Sequence, residues 1–377
     1  MSIKRFLGAI LCSALIMVPM AGCVKKEGDA SKAPETQASE TTTKAAETKS
    51  GEKYTIGVSM PTRTLQRWNQ DGDYMKQELE AAGFEVDLQY GADDVATQLS
   101  QIENMCNSGC KVLVIAAIEC SSLGSVLDMA EAKGIPVIAY DRLLMDSDTV
   151  DYYATFDNYM VGTIQGNYIV DTLDLKNAAG PFNIEITAGD PGDNNAQFFY
   201  DGAMDILKPY IESGKLNVVS GQKDFKDVAT PGWATETAQA RAESILSSYY
   251  ASGTNLDAWL CSNDSTATGV VNALAANYTG KYPIITGQDC DITNVKNMLA
   301  DKQAMSVFKD TRKLAKQVVK MVSQIVNNET VDVNDEKTYD NRKKVVPTFL
   351  CEPVFADKNN YKEILIDSGY YTEDKLK

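Results

Sequence analysis

Side chains that make directional polar contacts recur at one kind of position in this sequence, shortly after apolar runs. Arg67-Trp68, Asp141-Arg142 and Asn263-Asp264 are three such places. Carboxylate, amide and guanidinium groups can each engage two adjacent hydroxyl groups, and hydrogen bonds to charged groups are about twice as strong as neutral ones. An aromatic ring offers an apolar plate to the C–H face of a pyranose. Together these residue types predict a binding site for a neutral polyol ring.

The lack of histidine restricts the chemistry that such residues could perform. The sequence contains no histidine, so Ser-His-Asp triads, Cys-His dyads and HExxH zinc sites are impossible. Asp71-Gly72-Asp73 lacks the rest of an EF-hand loop, and we predict no metal site and no cofactor. A pair of carboxylates could still hydrolyse a glycoside, with Asp264 and Asp289 or Glu119 as candidates. Spacing alone leaves that alternative open.

Length and charge set the broad class of the protein. The chain has 377 residues, 44% of them hydrophobic, which suits a globular core. At about 100–200 residues per domain, two domains are expected. The formal net charge of -16 argues against a nucleic-acid partner, because neutralising phosphates needs an excess of Lys and Arg.

The N-terminus has the features of a bacterial export signal. Lys4-Arg5 precedes the apolar run Phe6–Met20, which is short for a membrane span. The run ends in Met20-Ala21-Gly22-Cys23, and small residues before a Cys resemble a lipobox. We therefore predict a lipoprotein signal peptide over residues 1–22; an ordinary secretion signal with a chance Cys is the alternative.

The next segment predicts an anchor and a tether. Cys23 would carry the lipid, so the protein would be anchored to the outside of the cell membrane rather than span it. Residues 24–52 contain no aromatic residue and one aliphatic residue, Val24. Such a segment buries too little apolar surface to offset its chain entropy. Residues 23–53 are therefore interpreted as a lipidated Cys and a disordered tether.

From Tyr54 onward, the pattern alternates between strand and helix. A strand and a helix recur about every 25–30 residues, which predicts a parallel sheet with right-handed crossovers. The predicted strands of the first half are Tyr54–Met60, Phe84–Tyr90, Lys111–Ala117 and Ile135–Tyr140. The predicted helices between and after them are Gln66–Ala82, Val95–Asn107 and Leu123–Lys133.

The pattern restarts after Phe156-Asp157 and continues to Val326. Two similar doubly wound, Rossmann-like α/β halves with parallel sheets are the simplest account. Ligands of open α/β sheets sit beyond the carboxyl ends of the strands. Two such lobes facing each other would hold one ligand in the cleft between them.

Several segments spread over the body resemble a known family. They include Ala139-Tyr140-Asp141-Arg142, Asp193-Asn194-Asn195-Ala196, Gly287-Gln288-Asp289 and Phe308-Lys309-Asp310-Thr311. The chain resembles the type I solute-binding proteins of sugar ABC transporters, most of all the multiple monosaccharide-binding and xylose-binding proteins. The resemblance implies a monomer, not an enzyme, that closes on one aldopyranose such as glucose, galactose, xylose or arabinose. It would deliver the sugar to ABC permease subunits, and a chemoreceptor or sensor kinase is a further partner to consider.

The resemblance also implies a division into lobes. The family has two lobes joined by a three-strand hinge, and the crossovers are expected near Phe156–Asn158, Gln288–Cys290 and Asn327–Asp332. The expected N-terminal lobe comprises residues 54–157 and 290–328. The expected C-terminal lobe comprises residues 158–289 and 329–377.

Site residues follow from the resemblance position by position. Trp68 is expected to stack on the sugar or to form a wall of the pocket, and Trp233 to flank the site. Glu119 stands where the family usually has Asp or Asn, and it is expected among the sugar-binding residues. The residues expected to hydrogen-bond the hydroxyl groups and the ring oxygen are Arg67, Arg142, Asn195, Asp264, Asp289 and Lys309.

Simpler roles remain open for some of these residues. Asp141 and Asp264 could be helix N-caps, since Asp after a strand often caps the next helix. Arg67 and Arg142 could form surface ion pairs. Six cysteines besides Cys23 belong to the mature chain, and whether any of them forms a disulfide is left open.

Overall fold

The structure is a computed structural model, and it describes residues 53–377. The predicted signal peptide, lipidation at Cys23 and all of the predicted tether except Lys53 lie outside these residues. Within residues 53–377, no helix has both the length and the apolar character needed to cross a bilayer.

The described chain folds as alternating strands and helices. In chain order the strands are β1 (Thr55–Met60), β2 (Glu85–Tyr90), β3 (Val112–Ile115), β4 (Val137–Tyr140), β5 (Tyr152–Phe156), β6 (Phe182–Thr187), β7 (Leu216–Val218), β8 (Ala258–Cys261), β9 (Ile284–Ile285), β10 (Met305–Phe308), β11 (Thr348–Cys351) and β12 (Val354–Asp357). The helices are α1 (Gln66–Ala81), α2 (Val95–Ser108), α3 (Gly124–Ala132), α4 (Asn158–Thr172), α5 (Asn194–Glu212), α6 (Phe225–Val228), α7 (Thr235–Ile245), α8 (Asp264–Asn277), α9 (Ile292–Leu299) and α10 (Thr311–Val326).

The first lobe is built on a six-stranded sheet in the order β2-β1-β3-β4-β5-β11, with every pair parallel. Strand β3 is apolar throughout because it is covered on both faces. Val112 and Val114 face a core formed with α1 and α10, whereas Leu113 and Ile115 face a core formed with α2 and α3.

The second lobe holds a parallel sheet in the order β7-β6-β8-β9. Strand β10 continues this sheet through a parallel bridge between Gln288 and Val307, and β12 pairs antiparallel with β10. Helices α4 and α5 approach each other closely. A Cβ atom at Gly162 would lie 2.0 Å from the carbonyl oxygen of Phe199, so only glycine fits there.

The observed sheets confirm the predicted α/β class with two parallel sheets. They contradict the predicted division of the chain into lobes in two places. Segment 290–308 lies in the second lobe, because β10 hydrogen-bonds to the chain after β9. Strand β11 lies in the first lobe, because it pairs with β5. The chain therefore passes between lobes after Phe156, after Phe308 and after Cys351, rather than at the second and third predicted crossovers. Short, isolated strands such as β11 carry too little pattern to reveal their sheet from sequence.

The cysteines of the described chain are all core residues. Cys106, Cys110, Cys120, Cys261, Cys290 and Cys351 are buried and unpaired. They behave as small apolar side chains.

Candidate functional site

A cavity lies between the two lobes, at the carboxyl ends of their parallel strands. Its walls come from loops and helix starts that directly follow strands of both lobes, as expected for facing α/β sheets. The lining residues are Leu65, Arg67, Trp68, Asp141, Arg142, Asp193, Asn195, Phe199, Trp233, Asn263, Ser265, Gln288, Asp289, Asp291 and Lys309.

Arg67 stands at the centre of the charged groups in the cavity. It lies in the first turn of α1, and its Nε donates to Asp71 Oδ2 over 2.9 Å. Its Nη2 lies 3.0 Å from Asp141 Oδ2, and its Nη1 lies 3.6 Å from Asp289 Oδ1 in the other lobe. Tyr140 donates to the second oxygen of Asp71, which fixes this carboxylate against Arg67. One guanidinium therefore links acids of both lobes.

Lys309 completes the central charge cluster. It follows β10, and its Nζ lies 3.2 Å from Asp289 and 3.9 Å from Asp141. Burial alone would raise the pKa of Asp141, but the nearby cations, Arg67 first and then Lys309 and Arg142, outweigh it and lower that pKa. Asp141 is therefore held in its charged form beside the cavity.

Arg142 spans the cleft from the opposite side. Its Nη1 donates to the carbonyl oxygens of Ala117 and Ile118 over 2.8 and 3.1 Å. Its Nε lies 3.0 Å from Asp193 Oδ2 in the second lobe. These contacts fix the plane of the guanidinium near the carboxyl end of β3.

Two aromatic side chains form walls of the cavity. The guanidinium carbons of Arg67 and Arg142 lie 4.5 and 5.1 Å from the Trp68 ring centre. Trp233 donates from Nε1 to Asp193 over 3.2 Å. The Trp233 ring lies over Gly189, where a Cβ atom would be 1.9 Å from the ring. The Trp233 ring is thus fixed by its hydrogen bond and by its close approach to Gly189, and the Trp68 ring lies against both guanidinium groups.

Several buried polar atoms at this site have no hydrogen-bond partner within the described protein. Trp68 Nε1, Gln288 Oε1 and Asp291 Oδ1 are in neither a hydrogen bond nor an ion pair with any described residue. Arg67 Nη2, Asp141 Oδ2, Arg142 Nε and Asp289 Oδ1 lie within ion-pair distance of an opposite charge but make no hydrogen bond to the described chain. Buried polar groups are nearly always hydrogen-bonded. The set mixes donors and acceptors, so it suits a ligand whose own groups both donate and accept, as hydroxyl groups do.

Asn195 lines the cavity but is mainly engaged with protein. Its Nδ2 donates to the carbonyl oxygen of Asp141 over 2.6 Å, and its Oδ1 accepts from Tyr153 and Asn158 over 3.0 and 2.9 Å. Asp141 and Tyr153 belong to the first lobe and Asn195 to the second. The predicted position of Asn195 agrees with the structure, and its side chain also bridges the lobes.

Glu119 does not line the cavity, contrary to its expected position. Its carboxylate accepts hydrogen bonds from Ser122 Oγ and from the backbone amide of Ser121. Strand β3 ends at Ile115, and Arg142 donates to the carbonyl groups of Ala117 and Ile118, which follow the strand. The Glu119 carboxylate is therefore bonded to its own loop.

Asp264 does not line the cavity either. It is fully buried, and its Oδ1 accepts from Gln303 and Ser306, each over 2.9 Å, while its Oδ2 accepts from the amide of Asp291 over 2.8 Å. The N-cap of α8 is Asn263, which accepts from Thr266. Neither sugar contact nor capping is therefore the role of the Asp264 side chain.

The cavity also contains acids and amides that are not among the predicted site residues. The sequence allows Asp141 as an N-cap, but no helix begins there, and its backbone has a φ of 58°. Asp193, Asn263, Gln288 and Asp291 were also not assigned. Each is within two residues of a predicted site residue, so position after the same strand was the signal available for them.

The raised pKa of a buried acid at the cavity predicts that the stability of the folded protein depends on pH. Burial, with the Asp289 charge, raises the pKa of Asp291 to about 7, against the effects of Arg67 and Lys309. A raised folded-state pKa favours the folded state at low pH, and that contribution is lost as pH rises from 3.8 through 7. The melting temperature should be about 2–4 °C higher at pH 6 than at pH 8.

Asp291→Asn should reduce this difference in melting temperature between pH 6 and pH 8, because the asparagine amide does not titrate. The paired control is Asp301→Asn, an exposed acid of the same lobe that is ion-paired to Lys358. Thermal unfolding at both pH values tests the assignment. An unchanged rise in Asp291→Asn would contradict it.

Comparison with known proteins agrees with this architecture. A sequence model described as a periplasmic binding protein domain matches residues 56–330, and the chain belongs to that family. The family consists of solute-binding proteins, and the resemblance noted from sequence is confirmed.

Particular relatives are similar over most of the chain. The multiple sugar-binding periplasmic receptor ChvE of Rhizobium radiobacter is 51% identical over 86% of this chain and 93% of its own length. The D-xylose-binding periplasmic protein of Escherichia coli K12 is 35% identical over 85% and 92%. A solved ABC transporter solute-binding protein from Clostridium phytofermentans, with bound β-D-glucose, is 66% identical, with a TM-score of 0.85 over 86% of this chain and all of that one.

Proposed function

We propose that this protein binds a monosaccharide in its pyranose form outside the cytoplasm and delivers it to an ABC permease. The observation that carries the proposal is the cavity between the lobes, with charged groups from both lobes around two aromatic walls. Relatives that are named for binding several sugars or xylose, or that were solved with glucose, support it.

The charge balance of the cavity favours a neutral ligand. Arg67, Arg142 and Lys309 face Asp141, Asp193 and Asp289, and each cation lies within 4 Å of an acid. The fourth lining acid is Asp291, and burial raises its pKa to about 7, so it adds little negative charge near neutral pH. Paired charges need no counterion from the ligand, yet they remain strong donors and acceptors for hydroxyl groups. A micromolar affinity corresponds to about -8 kcal/mol, which several charge-assisted bonds and a stacked ring supply after ordering costs.

Closure of the lobes would hold the sugar. The ion pairs of Arg67 with Asp289 and of Arg142 with Asp193 connect opposite lobes across the cavity. A ligand that contacts both sets of groups binds the closed arrangement better than an open one and shifts the population toward it.

The positions of the carboxylates favour binding over glycoside hydrolysis. A hydrolase needs two carboxyl groups flanking the scissile bond. Of the three candidates, Asp264 and Glu119 bond to protein away from the cavity, and Asp289 is paired with two cations. Asp141 and Asp193 also line the cavity but are each paired with an arginine, which leaves Asp291 without a second unpaired carboxylate among the described lining residues. We therefore propose that the sugar is released unaltered.

A thermal-shift panel tests this function. Glucose, galactose, xylose, arabinose, fucose and ribose are added separately to the purified body, residues 53–377, and aryl glycosides are incubated with it in parallel. At least one sugar should raise the melting temperature, as binding to the folded state requires. No shift with any sugar, or release of aryl alcohol, would overturn the proposal.

Sugar binding should change the intrinsic fluorescence of the protein. Trp68 and Trp233 line the cavity, whereas the third tryptophan, Trp259, is in the core of the second lobe. Titration with a sugar that gives a thermal shift should therefore give a saturable emission change. The Trp259→Phe variant should retain this emission change, and the Trp233→Phe variant should show a smaller one. If Trp259→Phe loses the change while Trp233→Phe keeps it, the placement of Trp233 at the sugar site is contradicted.

We further propose that Cys23 carries a lipid and that the tether keeps the folded body near a membrane permease. The support is the Met20-Ala21-Gly22-Cys23 segment and the polar stretch after it. In a bacterial host, the full chain should fractionate with membranes and Cys23→Ala should not. Equal membrane association of the two would exclude the lipid anchor.

A further inference from the structure

The buried Asp264 contacts a loop that carries three cavity side chains. Gln288, Asp289 and Asp291 all line the cavity, and they lie within one five-residue segment, Gly287 to Asp291. The backbone of this segment is unusual: φ is 97° at Asp289 and 51° at Cys290, a region that residues with a side chain rarely adopt. Such conformations persist only where surrounding contacts hold them.

Each amide of the strained part of the loop has one specific partner. The amide of Asp289 donates to the carbonyl oxygen of Val307 over 2.8 Å. The amide of Cys290 donates to Ser306 Oγ over 3.0 Å. The amide of Asp291 donates to Asp264 Oδ2 over 2.8 Å.

Asp264 controls two of these three contacts. It binds the Asp291 amide directly, and its Oδ1 accepts from the same Ser306 hydroxyl that receives the Cys290 amide. Its own amide donates to the carbonyl oxygen of Gln288 over 2.9 Å. The carboxylate also fills the space beside Gly287, where a Cβ atom would lie 2.1 Å from Oδ1. The loop is therefore fitted around this one buried side chain.

We propose that Asp264 is a positioning residue for sugar binding: it holds the Gly287–Asp291 loop so that Asp289 meets Arg67 and the ligand. This inference rests on the proposed function and assigns no contact between Asp264 and the sugar. A carboxylate is suited to the role because all three of its partners are donors. An amide at the same place would turn an NH₂ group toward one of them.

The experiment compares Asp264→Asn with a matched buried acid. Glu185 lies in the same lobe, is fully buried and also accepts from three donors, the amide and hydroxyl of Ser220 and the Tyr250 hydroxyl. Calorimetric titration with glucose, or with the strongest sugar of the panel, is done well below each melting temperature. Asp264→Asn should weaken binding by about 10-fold or more, whereas Glu185→Gln should lower the melting temperature with Kd within about twofold.

A double-mutant cycle separates positioning from general destabilisation. If Asp264 acts through Asp289, the added effect of Asp264→Asn in an Asp289→Asn background should shrink to about threefold or less. In an Arg142→Lys background, on the other lobe, the full effect should remain. Equal effects in both backgrounds would overturn the proposal.

A milder variant keeps the test valid if Asp264→Asn does not fold. Ser306→Ala removes the hydroxyl that joins Asp264 to the Cys290 amide, and it should weaken binding by about threefold or more. If the wild type binds the sugar and both Asp264→Asn and Ser306→Ala have the same Kd as the wild type, the positioning role is refuted and the proposed function is not. Absence of binding in the wild type would instead refute the proposed function.

Discussion

Asp289→Asn should weaken sugar binding by about 100-fold, because a buried charge-assisted hydrogen bond contributes roughly 1.5–3 kcal/mol and this carboxylate serves two cations. Asp289 Oδ1 lies 3.2 Å from Lys309 and 3.6 Å from Arg67 of the other lobe. Its loss weakens both the contact with the sugar and the link that favours closure. Asparagine tolerates the left-handed backbone at this position, φ 97°, so the loop should keep its path.

The measurement is the Kd for the strongest sugar of the panel, with thermal unfolding of the free protein as a check on folding. Asp301→Asn is a matched control, because Asp301 also has a positive φ, 57°, and pairs with a lysine in the same lobe, but on the surface. We expect its Kd to be unchanged. A Kd for Asp289→Asn within about threefold of wild type would show that the carboxylate does not contact the sugar.

The sequence predicted the elements of the fold well wherever the pattern was long. The run Lys111–Ala117 predicted a strand buried on both faces, and β3 has Val112 and Leu113 in opposite cores. Strand β11 was not predicted, because four residues after a long polar segment have no helical or alternating period. Its place beside β5 depends on contacts between parts of the chain far apart in sequence.

The site was predictable to the level of strand ends but not of individual side chains. Position after a strand correctly places Arg67 and Asp289 at the cavity. The same criterion does not separate Asn263 from Asp264, although one lines the cavity and the other turns into the core. Adjacent residues at the start of a helix point in different directions, and only the packing around Gln303 and Ser306 decides which way each points.

Arg142→Lys tests whether the cavity needs a planar guanidinium with several N–H donors at this position, or only a positive charge. Arg142 donates through Nη1 to two carbonyl groups and places Nε beside Asp193 of the other lobe. A lysine ammonium cannot satisfy the carbonyl groups and the carboxylate from one fixed plane. We expect sugar binding to weaken by about 30-fold, since the group that orients the ligand and links the lobes loses its geometry.

The control for this substitution is Arg241→Lys. Arg241 also donates to a backbone carbonyl, that of Ile186, over 2.7 Å. Its Nε and Nη2 both donate to Gln222 Oε1, but the residue lies outside the cavity. Its replacement should lower thermal stability and leave the Kd unchanged. If Arg142→Lys instead binds as tightly as wild type, charge alone is sufficient at this position. The two carbonyl contacts would then stabilise the first lobe without orienting the sugar.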